Sequence, residues 1–259
     1  MTTVPPLLLI HGAGLDRGTW SPVLDRIPGY TRSLAIDLPG HGGVPGVAYD
    51  REVVPRLAAY VAGLIAPLGL TRPHVVGHSL GGAVALELAR LVPVAAVTAL
   101  CPIGFRAAVH ALVCAVKMRS LLRVARALRL ATRERLLGKA MFRRLVLSGL
   151  SARPAALDAA AYVTSMLGSD LLALGRYAGR HVFRAAESDE AVQVNLVWAE
   201  LDRIVPRADA ARARRCLPAA NHLVIPGAGH LVMRDDPDST AAVIHAYHVR
   251  LARGRRNTN

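Results

Sequence analysis

The sequence predicts a single α/β domain in which a mostly parallel sheet is covered by helices on both faces. The chain has 259 residues, which is enough for one large domain and too few for two of typical size. Hydrophobic residues make up 53% of it and charged residues only 19%, so it can bury a sizeable core. Short apolar runs alternate with helical patterns along the chain, and this alternation is typical of a parallel sheet.

Six short apolar runs are predicted to form the strands of this sheet. They are Pro6 to Ile10, Ser33 to Ile36, His74 to Val76, Val94 to Leu100, Val192 to Trp198 and His222 to Ile225. Four helical patterns accompany them, namely Arg51 to Leu68, Gly82 to Leu91, Arg207 to Cys216 and Pro237 to Leu251. Binding sites in such sheets lie at the carboxyl ends of the strands, so functional residues are expected there.

The stretch from Ile103 to Ala185 interrupts this alternation, because it contains several helical patterns and no convincing strand. It also carries most of the charge excess of the chain. The whole sequence has a formal net charge of +14, and this stretch alone contains 15 basic and three acidic residues. We therefore expect a basic helical insertion between the fourth and fifth strands.

Composition argues against several classes of protein. The longest charge-free apolar run, Ala107 to Val116, is far shorter than the ~20 residues that span a bilayer. The first residues show neither a basic region nor a cleavage site typical of a secretory signal. The three cysteines are scattered and odd in number, which disfavours a disulfide framework and predicts a cytoplasmic location. Aromatic residues amount to 4% and no recognition motif is present, so we expect no nucleic-acid partner.

The sequence Gly77-His78-Ser79-Leu80-Gly81 matches the Gly-x-Ser-x-Gly pattern of a nucleophilic serine. An ordinary glycine-rich turn is the alternative explanation. The context favours a nucleophile, because an apolar run precedes the pattern and a helical pattern follows it. A serine on such a sharp turn has a strained backbone, which requires small residues on either side of it.

A serine hydroxyl needs a base to accept its proton, and the base needs a group that orients it. Asp202 follows the fifth predicted strand, and His230 follows the last one. The chain order Ser79, Asp202, His230 is the order expected for a nucleophile on a turn of this kind. Asp37 also follows a strand but precedes Ser79, so it is the weaker candidate for the orienting acid.

With these residues the chain resembles the α/β-hydrolase superfamily, in particular its lid-bearing bacterial serine esterases, haloperoxidase-like enzymes and carbon–carbon bond hydrolases. The resemblance extends over nearly the whole chain and includes His11-Gly12-Ala13-Gly14, Trp20 and Asp37-Leu38-Pro39-Gly40-His41-Gly42. It implies a core of residues 1–102 and 186–259 and a helical cap (lid) of residues 103–185. It also implies that the backbone amides of Ala13 and Leu80 form an oxyanion hole. By the same resemblance His11 and His41 are structural, whereas His78 either touches substrate or packs.

These observations predict a cofactor-free serine hydrolase that cleaves a carboxylic ester of a hydrophobic small molecule through an acyl-enzyme on Ser79. A carbon–carbon bond hydrolase or lyase and a thioesterase would use the same three residues. A non-catalytic ligand-binding protein of the same fold is the alternative from another class. The cysteines and histidines show no metal-ligand spacing, and neither a P-loop nor a dinucleotide-binding motif is present, so we expect neither metal nor cofactor.

The basic insertion admits three interpretations. Leu121, Ala125 and Leu128 fall on one helical stripe with arginines beside it, as in a solvated face over a packed stripe. In the second interpretation, the arginines attract an anionic substrate, such as a coenzyme A or phosphopantetheine thioester. Peripheral contact with an anionic membrane is the third interpretation. The sequence does not indicate an oligomeric state.

Overall fold

A single parallel sheet of six strands organises the protein. The computed structural model describes residues 4–29, 31–105, 116, 119–120, 122–183 and 192–254. The strands are β1 (Leu7–Ile10), β2 (Ser33–Ile36), β3 (His74–His78), β4 (Ala96–Leu100), β5 (Gln193–Ala199) and β6 (Asn221–Ile225). Their order across the sheet is β2-β1-β3-β4-β5-β6, and all neighbouring pairs are parallel. The predicted mostly parallel sheet is therefore confirmed.

Helices flank the sheet and connect its strands. They are α1 (Ser21–Leu24), α2 (Val53–Ile65), α3 (Leu80–Leu88), α4 (Leu130–Leu137), α5 (Ala140–Leu147), α6 (Ala159–Leu167), α7 (Leu171–Tyr177), α8 (Arg207–Cys216), α9 (Val232–Asp235) and α10 (Pro237–Gly254). A 3-10 helix, Arg17–Trp20, precedes α1. Strand boundaries agree with the sequence prediction to within two residues. The main correction concerns α3, which begins directly after Ser79 rather than at Gly82.

The two faces of the sheet bury separate clusters, because successive side chains of a strand point to opposite faces. Leu7 and Leu9 of β1 pack in a cluster that contains Trp20 and residues of α1 and α10. Leu8 and Ile10 pack on the other face in a cluster that contains residues of α2, α3 and α8. The site described below lies at the carboxyl ends of β3, β4, β5 and β6.

The described part of residues 103–183 is helical and joins β4 to β5. Of the predicted stripe, Ala125 is buried and Leu128 is half-buried, and Leu122, which was not predicted, is buried as well. Leu121, Cys114 and most of the apolar run Ala107 to Val116 lie outside the described residues. Among the helices that the structure describes, none combines the length and apolar character needed to cross a bilayer.

Candidate active site

Ser79 occupies the sharp turn between β3 and α3. Its backbone has φ 52° and ψ −110°, a left-handed conformation that side-chain-bearing residues rarely adopt. The turn is fixed from both sides, since the Ser79 N–H donates to the carbonyl of Leu100 and the Ser79 carbonyl accepts from the N–H of Ile103. The surrounding structure therefore maintains a strained backbone that places the serine at the end of the sheet.

Glycines next to this turn are required by close backbone contacts. A Cβ atom added at Gly81 would overlap the carbonyl oxygens of Ile10 and His11, and one at Gly77 would overlap the carbonyl of Gly81. Real Cβ atoms never approach backbone atoms so closely, so larger residues at either position would displace the turn. The predicted need for small residues around Ser79 thus has a direct steric cause.

The structure brings the three predicted residues Ser79, His230 and Asp202 together. His230 Nε2 lies 3.0 Å from Ser79 Oγ, and His230 Nδ1 lies 2.8 Å from Asp202 Oδ2. Because an ionised carboxylate only accepts hydrogen bonds, Nδ1 carries the proton and Nε2 is free to accept from the serine hydroxyl. All three side chains are buried or nearly so. This is the geometry in which a histidine can take a proton from a serine.

Asp202 is held in its ionised form despite its burial. Burial opposes ionisation of the carboxyl, but the neighbouring His230 and the N–H groups of Val205 and Ile204 outweigh it, so the pKa of Asp202 is lowered. Those two N–H groups donate to Asp202 Oδ1 at 2.8 and 2.7 Å. One carboxylate oxygen is thus fixed by the loop, which leaves the other for His230.

Asp37, the alternative acid, lies in a different network. Its carboxylate accepts from the Arg17 N–H at 2.6 Å and pairs with the Arg17 guanidinium, whose Nε is 3.4 Å away. Its carboxyl group also lies against Gly42, where an added Cβ would overlap it. Asp202 rather than Asp37 is therefore the carboxylate bonded to His230.

The loop that contains Ala13 lies against the serine turn and is held by two buried histidines. His11 Nδ1 donates to the Gly12 carbonyl at 2.8 Å, and its Nε2 accepts from the Leu38 N–H at 3.0 Å. His41 Nε2 accepts from the Gly14 N–H at 3.0 Å. Burial lowers the pKa of His11 to about 4, so it stays neutral and can accept as well as donate.

The two predicted oxyanion donors, Ala13 and Leu80, each follow a residue of the site, Gly12 and Ser79. A Cβ added at Gly12 would lie 3.2 Å from Ser79 Cβ, so the backbone directly before Ala13 passes close to the serine. Leu80 is the first residue of α3. The N-terminus of a helix concentrates unpaired N–H groups and a positive dipole end, which suits an oxyanion.

His78 packs beneath the base rather than bonding to Ser79. Its Nε2 donates to the His230 carbonyl at 2.9 Å, and its ring lies 4.8 Å from the His230 ring. Burial and the neighbouring His230 lower the pKa of His78 to about 3, so it is neutral. Of the two roles that the sequence left open, the observed contacts favour packing.

Cys101 is a site residue that the sequence motifs did not indicate. It directly follows β4 with φ 47°, and burial raises the pKa of its thiol well above the ordinary value, as does the nearby Asp202 carboxylate. Ligand-type atoms of Cys101, Asp202 and His230 lie within 4.8 Å of one another, a spacing that a metal ion could share. In this structure, however, His230 Nδ1 and the Asp202 carboxylate are hydrogen-bonded directly to each other, an arrangement that suits proton transfer.

Asp235 is a second residue that the sequence motifs did not indicate, and it supports the loop that carries His230. Its buried carboxylate accepts from Gly229 N at 2.7 Å, from Ala152 N at 2.8 Å and from Ser151 Oγ at 2.5 Å. The Leu231 N–H donates to the carbonyl of Leu150 at 2.9 Å. Residues on both sides of His230 are thereby attached to the helical segment between β4 and β5.

A parallel sheet with a serine on the turn after its third strand, bonded to histidine and aspartate from later loops, defines an α/β-hydrolase. The model of the alpha/beta hydrolase family matches residues 7–243, and the chain belongs to that family. This finding confirms the resemblance and the fold that were predicted from the sequence.

Two curated relatives are similar in sequence. One is the dihydrolipoyllysine-residue acetyltransferase component of the acetoin cleaving system of Cupriavidus necator, which is 32% identical over 92% of this chain and 62% of its own length. The chain thus spans about three fifths of that relative. The other is the pimeloyl-[acyl-carrier protein] methyl ester esterase of Methylococcus capsulatus, which is 41% identical over 38% of this chain and 37% of its own.

A solved structure extends the likeness to almost the whole fold. It is the 2-hydroxy-6-oxo-6-phenylhexa-2,4-dienoate hydrolase from Rhodococcus sp. strain RHA1, with a TM-score of 0.71 and 19% sequence identity. The match covers 96% of this chain and 92% of that one. At this level of identity the likeness shows the fold alone.

Proposed function

We propose that this chain is a cofactor-free serine hydrolase that cleaves a carboxylic ester of a hydrophobic small molecule through an acyl-enzyme on Ser79. The observation that carries the proposal is the continuous hydrogen-bonded path from Ser79 Oγ through His230 to Asp202. Membership of the family and the sequence likeness to an ester hydrolase support the same reaction.

In the first half of the proposed reaction, Ser79 Oγ attacks the ester carbonyl while His230 Nε2 accepts the hydroxyl proton. The amides of Ala13 and Leu80 donate to the oxygen that becomes negative, and one such donor contributes about 2.7–4 kcal/mol in comparable sites. Asp202 stabilises the resulting imidazolium without taking its proton. The tetrahedral intermediate then collapses, and His230 returns the proton to the departing alcohol.

In the second half, water replaces the alcohol. His230 Nε2 accepts a proton from that water, whose oxygen attacks the acyl carbon, and the same two amides hold the second oxyanion. Collapse of this intermediate breaks the bond to Ser79 Oγ, which recovers its proton from His230. A carboxylic acid is released and the enzyme returns to its starting state.

We extend the proposal to the helical segment of residues 103–185 as a cap over this site. Ser165 Oγ donates to the Gly14 carbonyl at 3.1 Å, and side chains of Met166 and Leu171 lie close to Gly14. The segment therefore contacts the loop of the proposed oxyanion hole with apolar groups. This supports a substrate with a hydrophobic acyl or ring portion.

The basic residues of the segment support an anionic substrate less well than its apolar residues support a hydrophobic one. Arg143 donates to the carbonyls of Ala155, Leu137 and Gly138, and Arg133 donates to the carbonyl of Ala125. These guanidinium groups serve the fold of the segment itself. We therefore rank hydrolysis of a thioester of an anionic carrier below hydrolysis of a hydrophobic ester.

Carbon–carbon bond hydrolysis is the second candidate function. It would use the same nucleophile and base, on the fold that this chain shares with the Rhodococcus hydrolase. A ligand-binding role without turnover is opposed by the Ser79–His230–Asp202 bonds, since a protein that only binds has no need of an activated serine.

The test is a set of initial rates on p-nitrophenyl esters of increasing chain length and on acyl-coenzyme A thioesters. We expect ester turnover that Ser79→Ala abolishes and that Ser239→Ala, a change at a partly exposed serine of α10, leaves intact. A fluorophosphonate probe should label the wild type once, at Ser79, as read by mass spectrometry of peptides. Full activity of Ser79→Ala would overturn the mechanism. A folded protein that is labelled but hydrolyses neither series would favour carbon–carbon cleavage.

A further inference from the structure

The outer face of α5 presents large apolar side chains to solvent. Met141 is 71% exposed and Leu145 is 76% exposed, and they are the two most exposed large apolar residues in the part of the chain that the structure describes. They lie four residues apart, so they are neighbours on one side of the helix. An exposed apolar patch, unlike a single exposed residue, indicates a surface for contact.

The opposite face of α5 packs against the protein. Leu147 is fully buried, and Phe142 and Val146 are half-buried. At about 100° per residue, the exposed residues of the helix fall within one arc of roughly 140°, and the buried ones lie across from it; the exposed residues are Ala140, Met141, Arg144 and Leu145. The inner face therefore fixes the helix, and the outer face is left for another partner.

The same part of the chain is strongly basic. Residues 122–148 contain eight basic residues and one acidic residue, Glu134. Arg133 and Arg143 are half-buried and donate to backbone carbonyls of the segment. The other six are exposed, namely Arg123, Arg126, Arg129, Arg135, Lys139 and Arg144. This region thus displays positive charge beside the apolar face of α5.

Internal hydrogen bonds hold these elements together. Arg143 donates to two carbonyls at the end of α4, and Arg133 donates to the Ala125 carbonyl in the helical turns before α4. In addition, α4 packs on α6, whose Ser165 hydroxyl donates to the Gly14 carbonyl of the proposed oxyanion loop. The apolar face and the basic residues therefore belong to one folded unit that also contacts the candidate active site.

We propose that this unit binds the surface of an anionic phospholipid membrane. Met141 and Leu145 insert between the headgroups, and the six exposed basic side chains contact the lipid phosphates. A helix at a membrane interface needs apolar side chains on one face and basic side chains that reach the headgroups beside them. Arg144 lies on the apolar face itself, where its hydrocarbon stem packs along lipid and its guanidinium stays at the level of the phosphates.

Other occupants fit this surface less well. A second copy of the chain would bring the basic residues against their counterparts, because a symmetric dimer pairs the same patch of both subunits. Single-stranded nucleic acid stacks its bases on aromatic side chains, whereas Met141 and Leu145 are aliphatic. A folded acidic protein needs a groove shaped to a convex helix, whereas a lipid surface adapts to it.

Docking in this way holds the helical segment against the bilayer. A hydrophobic ester partitions into the same bilayer, so the substrate and the segment over the active site meet at one surface. This consequence rests on the proposed function, whereas membrane binding itself does not. Ser79→Ala should therefore bind vesicles like the wild type, and the two proposals can fail separately.

The experiment is flotation of the whole chain with two kinds of vesicle, phosphatidylcholine alone and phosphatidylcholine with about one third phosphatidylglycerol, at about 0.1 M salt. We expect binding to the anionic vesicles and binding about 100-fold weaker or less to the neutral ones. Leu145→Ser should weaken binding about tenfold, and Arg144→Gln about fivefold. Both side chains are exposed, so thermal unfolding of these variants should match the wild type.

Matched controls exist elsewhere on the surface. Leu91→Ser makes the same change at an exposed leucine just after α3, and Arg214→Gln removes the same charge from an exposed position of α8. Both should bind anionic vesicles like the wild type. Losses equal to those of Leu145→Ser and Arg144→Gln would overturn the proposal, because total apolarity and total charge would then determine binding. Absence of flotation up to about 1 mM anionic lipid would overturn it as well.

Fluorescence separates insertion from attraction by charge alone. The chain has two tryptophans, Trp20 and Trp198, and both are buried. In Met141→Trp the added indole should shift its emission to shorter wavelength with anionic vesicles and be quenched by brominated lipid, whereas in Leu91→Trp it should do neither. Flotation without this shift would overturn the proposal. So would binding of an oligonucleotide or of polyglutamate that is as tight as vesicle binding and equally weakened by Leu145→Ser, which would identify a soluble polyanion as the partner.

Discussion

Removing the Asp235 carboxylate should loosen the loop that carries His230. This side chain is buried and accepts three hydrogen bonds, from Gly229 N, Ala152 N and Ser151 Oγ. Asp235→Ala leaves all three donors without their acceptor. The Gly229 N–H is buried and loses a full partner, whereas water can reach the partly buried Ala152 N–H.

The magnitude follows from these contacts. An unpaired buried donor costs about 1–3 kcal/mol, so Asp235→Ala should lower the free energy of unfolding by roughly 3–5 kcal/mol. That corresponds to a fall in Tm of roughly 10 °C for a protein of this size. Asp235→Asn keeps one acceptor oxygen for the two N–H groups, and the Ser151 hydroxyl can turn to accept from the amide. It should therefore cost only about 1–2 kcal/mol.

Urea unfolding and ester hydrolysis measured on the same variants would test this reasoning. We expect kcat/KM to fall about 100-fold in Asp235→Ala, because a displacement of the base by about 1 Å is costly. Asp236→Asn is the control, since its half-buried carboxylate only accepts from Ser239 N at the start of α10. Wild-type stability in Asp235→Ala, or wild-type kcat/KM despite lost stability, would refute the positioning role.

Three further predictions concern the proposed catalytic groups and the buried histidines. Asp202→Asn should lower kcat roughly 10⁴-fold in ester assays, by analogy with other serine–histidine–aspartate enzymes, and a negligible loss would exclude Asp202 as the orienting acid. Cys101→Ala should lower kcat about two- to tenfold with KM unchanged, and Cys101→Ser should restore it, because serine keeps a polar group beside the Asp202 carboxylate. Equal activity of both variants would contradict this. Burial lowers the pKa of His11 to about 4 and of His74 and His78 to about 3 from an ordinary value of 6.5. Their neutral forms are therefore favoured by folding, and the stability that this provides is complete above pH 6.5 and declines as the pH falls toward the folded values. Between pH 7 and pH 5 each should cost roughly 2 kcal/mol, and a free energy of unfolding independent of pH in urea titrations would contradict it.

The sheet and the three central side chains could be predicted because local patterns determine them. The serine turn needs Gly77 and Gly81 at fixed positions, and steric overlap explains that requirement. Asp202 and His230 could be chosen by chain order and by their place after strands. Parallel strands bring such loops to one edge of the sheet, so no knowledge of side-chain contacts was necessary.

The supporting residues could not be predicted in this way. Cys101 and Asp235 act through contacts with residues far away in sequence, and nothing in their own neighbourhoods marks them. The buried position Leu122 was not predicted, because tertiary packing selects which apolar residues of a helix face inward.

The attachment of the His230 loop to the helical segment limits how this protein can be re-engineered. A graft that replaced the segment with one from another hydrolase would also remove the Leu150 carbonyl and the Ser151 hydroxyl. The histidine loop would then lose its supports even if the new segment folded well. The segment is therefore not an interchangeable module, and a chimaera that retains residues 150–152 has the better prospect of an intact base.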